Sequence, residues 1–250
     1  MAAYGQANFR FPLSVKRLWF MSIPLKPIEP RRLYQQVADQ IRGLIQGGQF
    51  LPGARLPAER DLAHQLGVSR PSLREALIAL EIDGSVEIRS GSGVYVCAPV
   101  ERSAHTIRSM GESPSELMQA RAVIEGTVAA LACARMTPEG LAALHATLQA
   151  MRADIADGRD PLEQDRRFHL ALADQAGNSV LMRIVRDLFD ERHSPISAQL
   201  SVKFDSREGW HTALLEHEQI YAALEAADPL LAQAAMRMHL DASKKRWLGD

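Results

Sequence analysis

Apolar residues at Leu33, Val37, Ile41, Leu44 and Ile45 recur three and four apart, the spacing of one helical face, and Gly47-Gly48 ends the run. A Pro52-Gly53 turn leads to a short second helix through LPAERDLAHQL, stopped by Gly67. Ser69 then stands as the N-cap of a third, RPSLREALIALEID, with Pro71 in its first turn and Gly84 beyond its end. After Gly84 the period changes to two. Val86 and Ile88 alternate with polar residues, as do Val94 and Val96, on either side of a Gly-Ser-Gly turn, which predicts a hairpin. Two helices around a tight glycine-containing turn, followed by a hairpin, predict a winged helix-turn-helix over residues 30–98.

The pattern beyond residue 112 is helical throughout. Ser113-Pro114, Thr137-Pro138, Asp160-Pro161 and Asp228-Pro229 each pair a capping residue with a proline, which fits the first helical position because its missing N–H is not needed there. Ser113 with Glu116 and Asp160 with Glu163 also have capping-box spacing. Gly177-Asn178 separates two further helices, and a last start lies near Ser206. About six helices over residues 113–248, with no convincing strand, predict an antiparallel all-helical bundle. The fold class is mainly α. Residues 1–29 read as a flexible tail, with Met21 as an alternative start of translation, and residues 99–112 as a linker.

Stepping these helices at 100° per residue places polar groups on inward stripes. Asp165 and His169 lie four apart with Leu162, Phe168 and Leu172. His217 shares a stripe with Trp210, Leu214, Tyr221 and Leu224, and His239 with Ala232, Ala235, Met236 and Ala242. Buried carboxylates and imidazoles need partners. A single inward histidine is commonly a satisfied core residue. An Asp-x-x-x-His pair joined by two more inward histidines is better explained by a shared divalent metal. One oxygen and three nitrogens suit zinc as the first choice, with nickel, manganese and iron open. Arg121 is inward too, four before Glu125, and can either pair with that residue or clamp a ligand carboxylate. Arg121, Glu125 and Arg192 are the candidate effector contacts.

Charge complicates the picture before it helps. The 250 residues sum to a net charge of −1, which argues against a nucleic-acid binder. Residues 1–100 nevertheless carry 12 basic against 8 acidic residues, and the remainder 17 against 22, so neutrality is a cancellation. The excess is modest, and placement matters more than amount. Arg70 and Arg74 share a face at the start of the third helix, beside Ser69 and Ser72, where a recognition helix enters the major groove. Arginine there can address guanine, and serine can address phosphate. Arg60 on the preceding helix and Arg89, Ser90 and Gly91 on the wing complete the candidate DNA surface. No apolar run is long enough to span a bilayer. Cys97 and Cys133 cannot form a disulfide framework, which suits a reducing cytoplasm.

LPAER, GVSR-x-x-LREAL and the GSG wing stand in order over residues 30–98, and this stretch resembles the DNA-binding domain of the GntR family of bacterial transcription regulators. Pro71 stands where relatives often carry a hydroxyl residue. ELMQARAVIE, DRRFHLALADQAGN, EHEQIYAALEAADP and AAMRMHL resemble the FCD ligand-binding domain of its FadR-type branch. The resemblance implies that Asp165, His169, His217 and His239 are metal ligands, a set that the acyl-CoA-binding members lack, and so implies a carboxylate effector. EPRRLYQQVAD, SPSELMQARAVIE and ERHSPI are closest to regulators of hexuronate utilisation. The expectation is a homodimeric repressor, not an enzyme, released from a palindromic operator by a hexuronate or its keto-acid derivative, with coupling through the linker. Two alternatives remain open. One is a regulator answering to gluconate, galactonate or lactate with a mainly structural metal. The other is a metal-dependent hydrolase with a DNA-binding appendage, in which Glu216 and Glu218 beside His217 would be the general bases. Their position 100° off the stripe counts against it.

Overall fold

The computed structural model describes residues 32–98 and 110–248. The tail, the alternative start at Met21 and residues 99–109 of the expected linker lie outside the described residues. The head consists of α1 (Leu33–Gln46), α2 (Glu59–Leu66), α3 (Arg70–Ile82), β1 (Val86–Arg89) and β2 (Gly93–Val96). The bundle consists of α4 (Pro114–Cys133), α5 (Pro138–Ala156), α6 (Leu162–Gln175), α7 (Ser179–Asp190), α8 (Pro195–Phe204), α9 (Arg207–Glu225) and α10 (Pro229–Leu248), with a 3₁₀ turn at Glu191–His193.

Local signals in the head act as the sequence predicts. The Ser69 hydroxyl accepts from Ser72 N–H at 3.2 Å, capping α3. Gly67 ends α2 at φ +66°, a left-handed conformation costly for a residue with a Cβ. The strands pair antiparallel with Val86 opposite Val96 and Ile88 opposite Val94. The inward face of α1 is rotated slightly from the expected one. Tyr34, Val37, Ala38 and Ile41 are buried, while Leu33 is 47% exposed.

In the bundle, Thr137, Asn178, Ser206 and Asp228 accept from backbone N–H groups of the first turns that follow them. Helix α6 begins one residue later than its cap-proline signal suggests. Pro161 occupies the N-cap, and the Asp160 carboxylate reaches past it to Leu162 N–H at 2.9 Å. Seven α-helices occur among the described bundle residues, against the expected six. The additional one is α8, opened by Ser194-Pro195, the same signal as Ser113-Pro114. Its packing is unlike that of its neighbours. Phe168, Leu172, Leu144, Met151 and Met236 form the bundle core, whereas Ile196 and Leu200 of α8, with Met110 and Leu248, join the core of the head beside Tyr34, Leu73 and Leu77.

Polar contacts also tie head to bundle. Tyr34 donates to the Gly111 carbonyl at 3.0 Å. On α3, the buried Glu75 carboxyl accepts from Ser113 Oγ at 2.8 Å and from Ser115 N–H at 2.7 Å, at the N-terminus of α4. Burial pushes this carboxyl up to about 7, against the smaller opposing effect of those two donors. Between pH 4.5 and 7 the folded chain therefore holds a proton that the unfolded chain has released, and stability falls as pH rises through that window. Glu75→Gln is expected to remove this fall, a difference of up to about 3 kcal/mol at 1.36 kcal/mol per pKa unit. Urea melts of both proteins across the window check it, and parallel curves would refute the assignment.

Candidate metal centre and nucleic-acid interface

Helix α6 brings Asp165 and His169 to the bundle interior one turn apart, α9 brings His217 and α10 brings His239. One ligand atom from each lies within 4.8 Å of the others, and all four residues are buried. His217 Nε2 is 3.1 Å from Asp165 Oδ1 and 3.3 Å from His169 Nε2.

The outer nitrogens explain why these rings are held so. His169 Nδ1 contacts Glu125 Oε2 at 2.5 Å, His217 Nδ1 contacts the Ala213 carbonyl at 2.7 Å, and His239 Nδ1 contacts Glu216 Oε2 at 2.8 Å. Burial alone would raise Glu125, but Arg121 and His169 hold it at about 2. Burial of Glu216 is likewise outweighed, by His239 and Arg246, which hold it at about 2. A carbonyl and two ionised carboxylates can only accept, so each Nδ1 donates outward and each Nε2 turns a lone pair inward. Lone pairs facing one another beside a carboxylate repel unless a cation lies among them. The residues present therefore fit a divalent ion, with outer partners that fix ring orientation. His239 is held near 3, chiefly by burial, so it is neutral, as a ligand must be. Burial would raise Asp165 as well, yet its contact with His217 and the nearby guanidinium of Arg192 hold it well below the usual carboxylate range, so it offers an ionised oxygen to the same ion.

A cavity of about 160 Å³ opens beside Asp165 and His239, with Arg121, Arg192, Arg246 and Trp247 on its wall. Arg121 is spent: its Nε donates to Glu125 Oε1 at 2.6 Å, and its guanidinium lies over Phe189. Glu125 thereby has both oxygens engaged. Arg192 differs. It is buried and stacked 4.3 Å over Trp247, and its Nε has no hydrogen-bond partner. The nearest carboxylates, Asp165 at 3.7 Å and Asp205 at 3.9 Å, lie beyond hydrogen-bond reach. An unpaired buried guanidinium N–H is costly, and an arriving carboxylate would relieve that cost. His193 and His211 are exposed and outside this constellation.

On the head, Arg60, Ser69 and Arg70 are exposed at the helix-turn-helix, with Ser72 partly so. Arg74, Arg89, Ser90 and Gly91 line one basic groove of about 500 Å³. Arg89 pairs with Glu87 at 2.7 Å. Arg74 is the least available of the set: it pairs with Glu59 at 2.8 Å and retains only 14% side-chain exposure.

Residues 33–96 match the family model for bacterial regulatory proteins of the gntR family, and residues 116–242 match that of the FCD domain. The chain belongs to the GntR family. Its relatives include the "Exu regulon transcriptional regulator" of Escherichia coli K12, 38% identical over 86% of this chain and 84% of that one. The "Uxu operon transcriptional regulator" of the same organism is 36% identical over 87% and 88%. The "Uxu operon regulator" of Haemophilus influenzae is 32% identical over 84% and 80%. This GntR-family protein is thus a transcription regulator, with a DNA-binding winged helix-turn-helix joined to a helical FCD domain. No helix among the described residues is long and apolar enough to cross a membrane.

Sequence reasoning missed three contributors in this GntR regulator. Glu216 serves His239 from a neighbouring helix, the Ala213 carbonyl serves His217 one turn earlier, and Arg55 joins the basic groove. Only Ala213 had a signal available, its i−4 position on α9.

Proposed function

We propose that this regulator represses hexuronate catabolism genes and leaves a palindromic operator when a carboxylate effector, a hexuronate or its keto-acid derivative, binds beside a divalent metal. Asp165, His169, His217 and His239 hold the metal, zinc being the first choice for three nitrogens and one oxygen. Bound there, the metal supplies a Lewis-acid anchor for carboxylate and hydroxyl oxygens. Arg192 donates to the effector carboxylate, and its unpartnered buried Nε beside the metal ligands is the observation that carries this reading. Arg121 adds positive field to the same wall, and Glu125 acts through Arg121 and His169. Relatives named for the Exu and Uxu regulons support the sugar-acid class.

A homodimer places two recognition helices in successive major grooves. Exposed Val123 and Leu131 on α4 and Val180 on α7 supply apolar surface for such an association. The hydrolase reading loses support from Glu216 and Glu218. Glu216 sits on the Nδ1 side of His239, away from the ligand atoms, and Glu218 pairs with Arg152.

A thermal-shift screen of glucuronate, galacturonate, gluconate, galactonate and lactate, with and without chelator, tests the proposal. A hexuronate is expected to raise Tm by about 2–4 °C per kcal/mol of binding stabilisation, and chelator to abolish the rise. Arg192→Met is expected to weaken that ligand about 10- to 150-fold, the loss of a charge-assisted hydrogen bond. A response to lactate alone would overturn the hexuronate assignment. A chelator-insensitive response would leave the metal structural.

A further inference from the structure

Helix α8 is bracketed by the effector cavity. Arg192 precedes it in the 3₁₀ turn, Asp205 follows it directly, and both line that cavity. Between them, Ile196 and Leu200 are fully buried in the core of the head, not of the bundle. Lys203 Nζ lies 2.6 Å from Glu81 of α3, and Gln199 donates to the same carboxylate. Phe204, the last residue of α8, lines both the effector cavity and the basic groove of the head. The Arg74 guanidinium lies 5.9 Å from the centroid of its ring.

We propose that Phe204 is a positioning residue for Arg74: α8 holds this DNA-facing arginine back, and an effector seated between Arg192 and Asp205 strengthens the hold. The proposal rests on the effector cavity and DNA surface assigned above. To reach a base edge, Arg74 must leave both the Phe204 ring and Glu59. The ring contact stands near the roughly 6 Å limit of a cation–π interaction, so a small displacement of α8 makes or breaks it. The ligand gains its leverage from the wall. Phe204 stands in the cavity wall with Arg192 and Asp205, so a ligand that touches the ring and favours its position against Arg74 shifts the population toward that position.

The test uses full-length Phe204→Ala and Phe204→Leu, the latter keeping apolar bulk without the aromatic face, and Phe204→Tyr as the conservative control. Operator duplexes selected from random DNA by the purified wild type serve as probe, at fixed salt. Without any sugar acid, both non-aromatic variants are expected to bind operator about three- to tenfold tighter than wild type, the loss of one cation–π restraint. Phe204→Tyr is expected to match wild type. With glucuronate or galacturonate added, the non-aromatic variants are expected to show a melting shift but little change in operator affinity. Unchanged or weaker operator binding by folded Phe204→Leu, without sugar acid, would overturn the proposal. Failure of hexuronates to shift the wild-type Tm would instead refute the effector assignment, while the ligand-free arm still decides the role of Phe204.

Discussion

Arg70→Ala is expected to erase discrimination between operator and random duplex while leaving the fold intact. Arg70 is the first residue of α3 and is exposed, with its side chain free to reach a groove. One bidentate arginine–guanine pair carries about 1–3 kcal/mol of discrimination, and the proposed dimer presents the residue twice, so specific affinity is expected to fall by about 10²–10⁴. Stability should change by no more than about 0.5 kcal/mol, the usual range for a surface position. Fluorescence anisotropy on both duplexes at one salt concentration measures the ratio. Near-normal specific affinity in the variant would refute the placement of α3 in the groove. A uniform loss on both duplexes would make Arg70 a phosphate contact.

His169→Ala is expected to strip the metal and the effector response and to spare operator binding in the absence of effector. In the proposed metal site His169 supplies a ligand nitrogen, and it also carries the Glu125 hydrogen bond that links α6 to α4. Its removal therefore costs more than one donor atom, because Glu125 loses the partner of its second oxygen. Elemental analysis of purified protein should show near-complete loss of metal, and the sugar-acid melting shift should vanish. Full occupancy in the variant would refute the site. His239→Ala, which removes a ligand from a different helix and leaves Glu125 in place, separates loss of the ion from loss of that network.

Periodicity and punctuation made most of the fold legible. Ser69, Gly67, Thr137 and Asn178 act locally, and their effect does not depend on what packs nearby. The Asp165–His169 pair was legible for the same reason, since four residues is one helical turn. The partners of the site were not. Glu125 reaches His169 across 44 positions and Glu216 reaches His239 across 23, distances set by helix packing that no periodicity encodes. Helix α8 did carry a signal, Ile196, Leu200 and Phe204 spaced by four after Ser194-Pro195, yet it is only ten residues long and follows directly on a 3₁₀ turn. The state of Arg74 was also illegible. Sharing a face with Arg70 predicts common exposure, and only tertiary packing brings Glu59 and Phe204 against one of the two.

Phe204 stands in the wall of two cavities at once, and this has a consequence for how the regulator senses concentration. If effector and operator favour opposite positions of one side chain, their affinities are linked, and the factor by which sugar acid weakens operator binding must equal the factor by which operator weakens sugar-acid binding. A dissociation constant measured on the free protein would then understate the concentration needed to clear an occupied promoter. The tightest operators would be vacated last, so a single effector could open a set of promoters in sequence as its level rises.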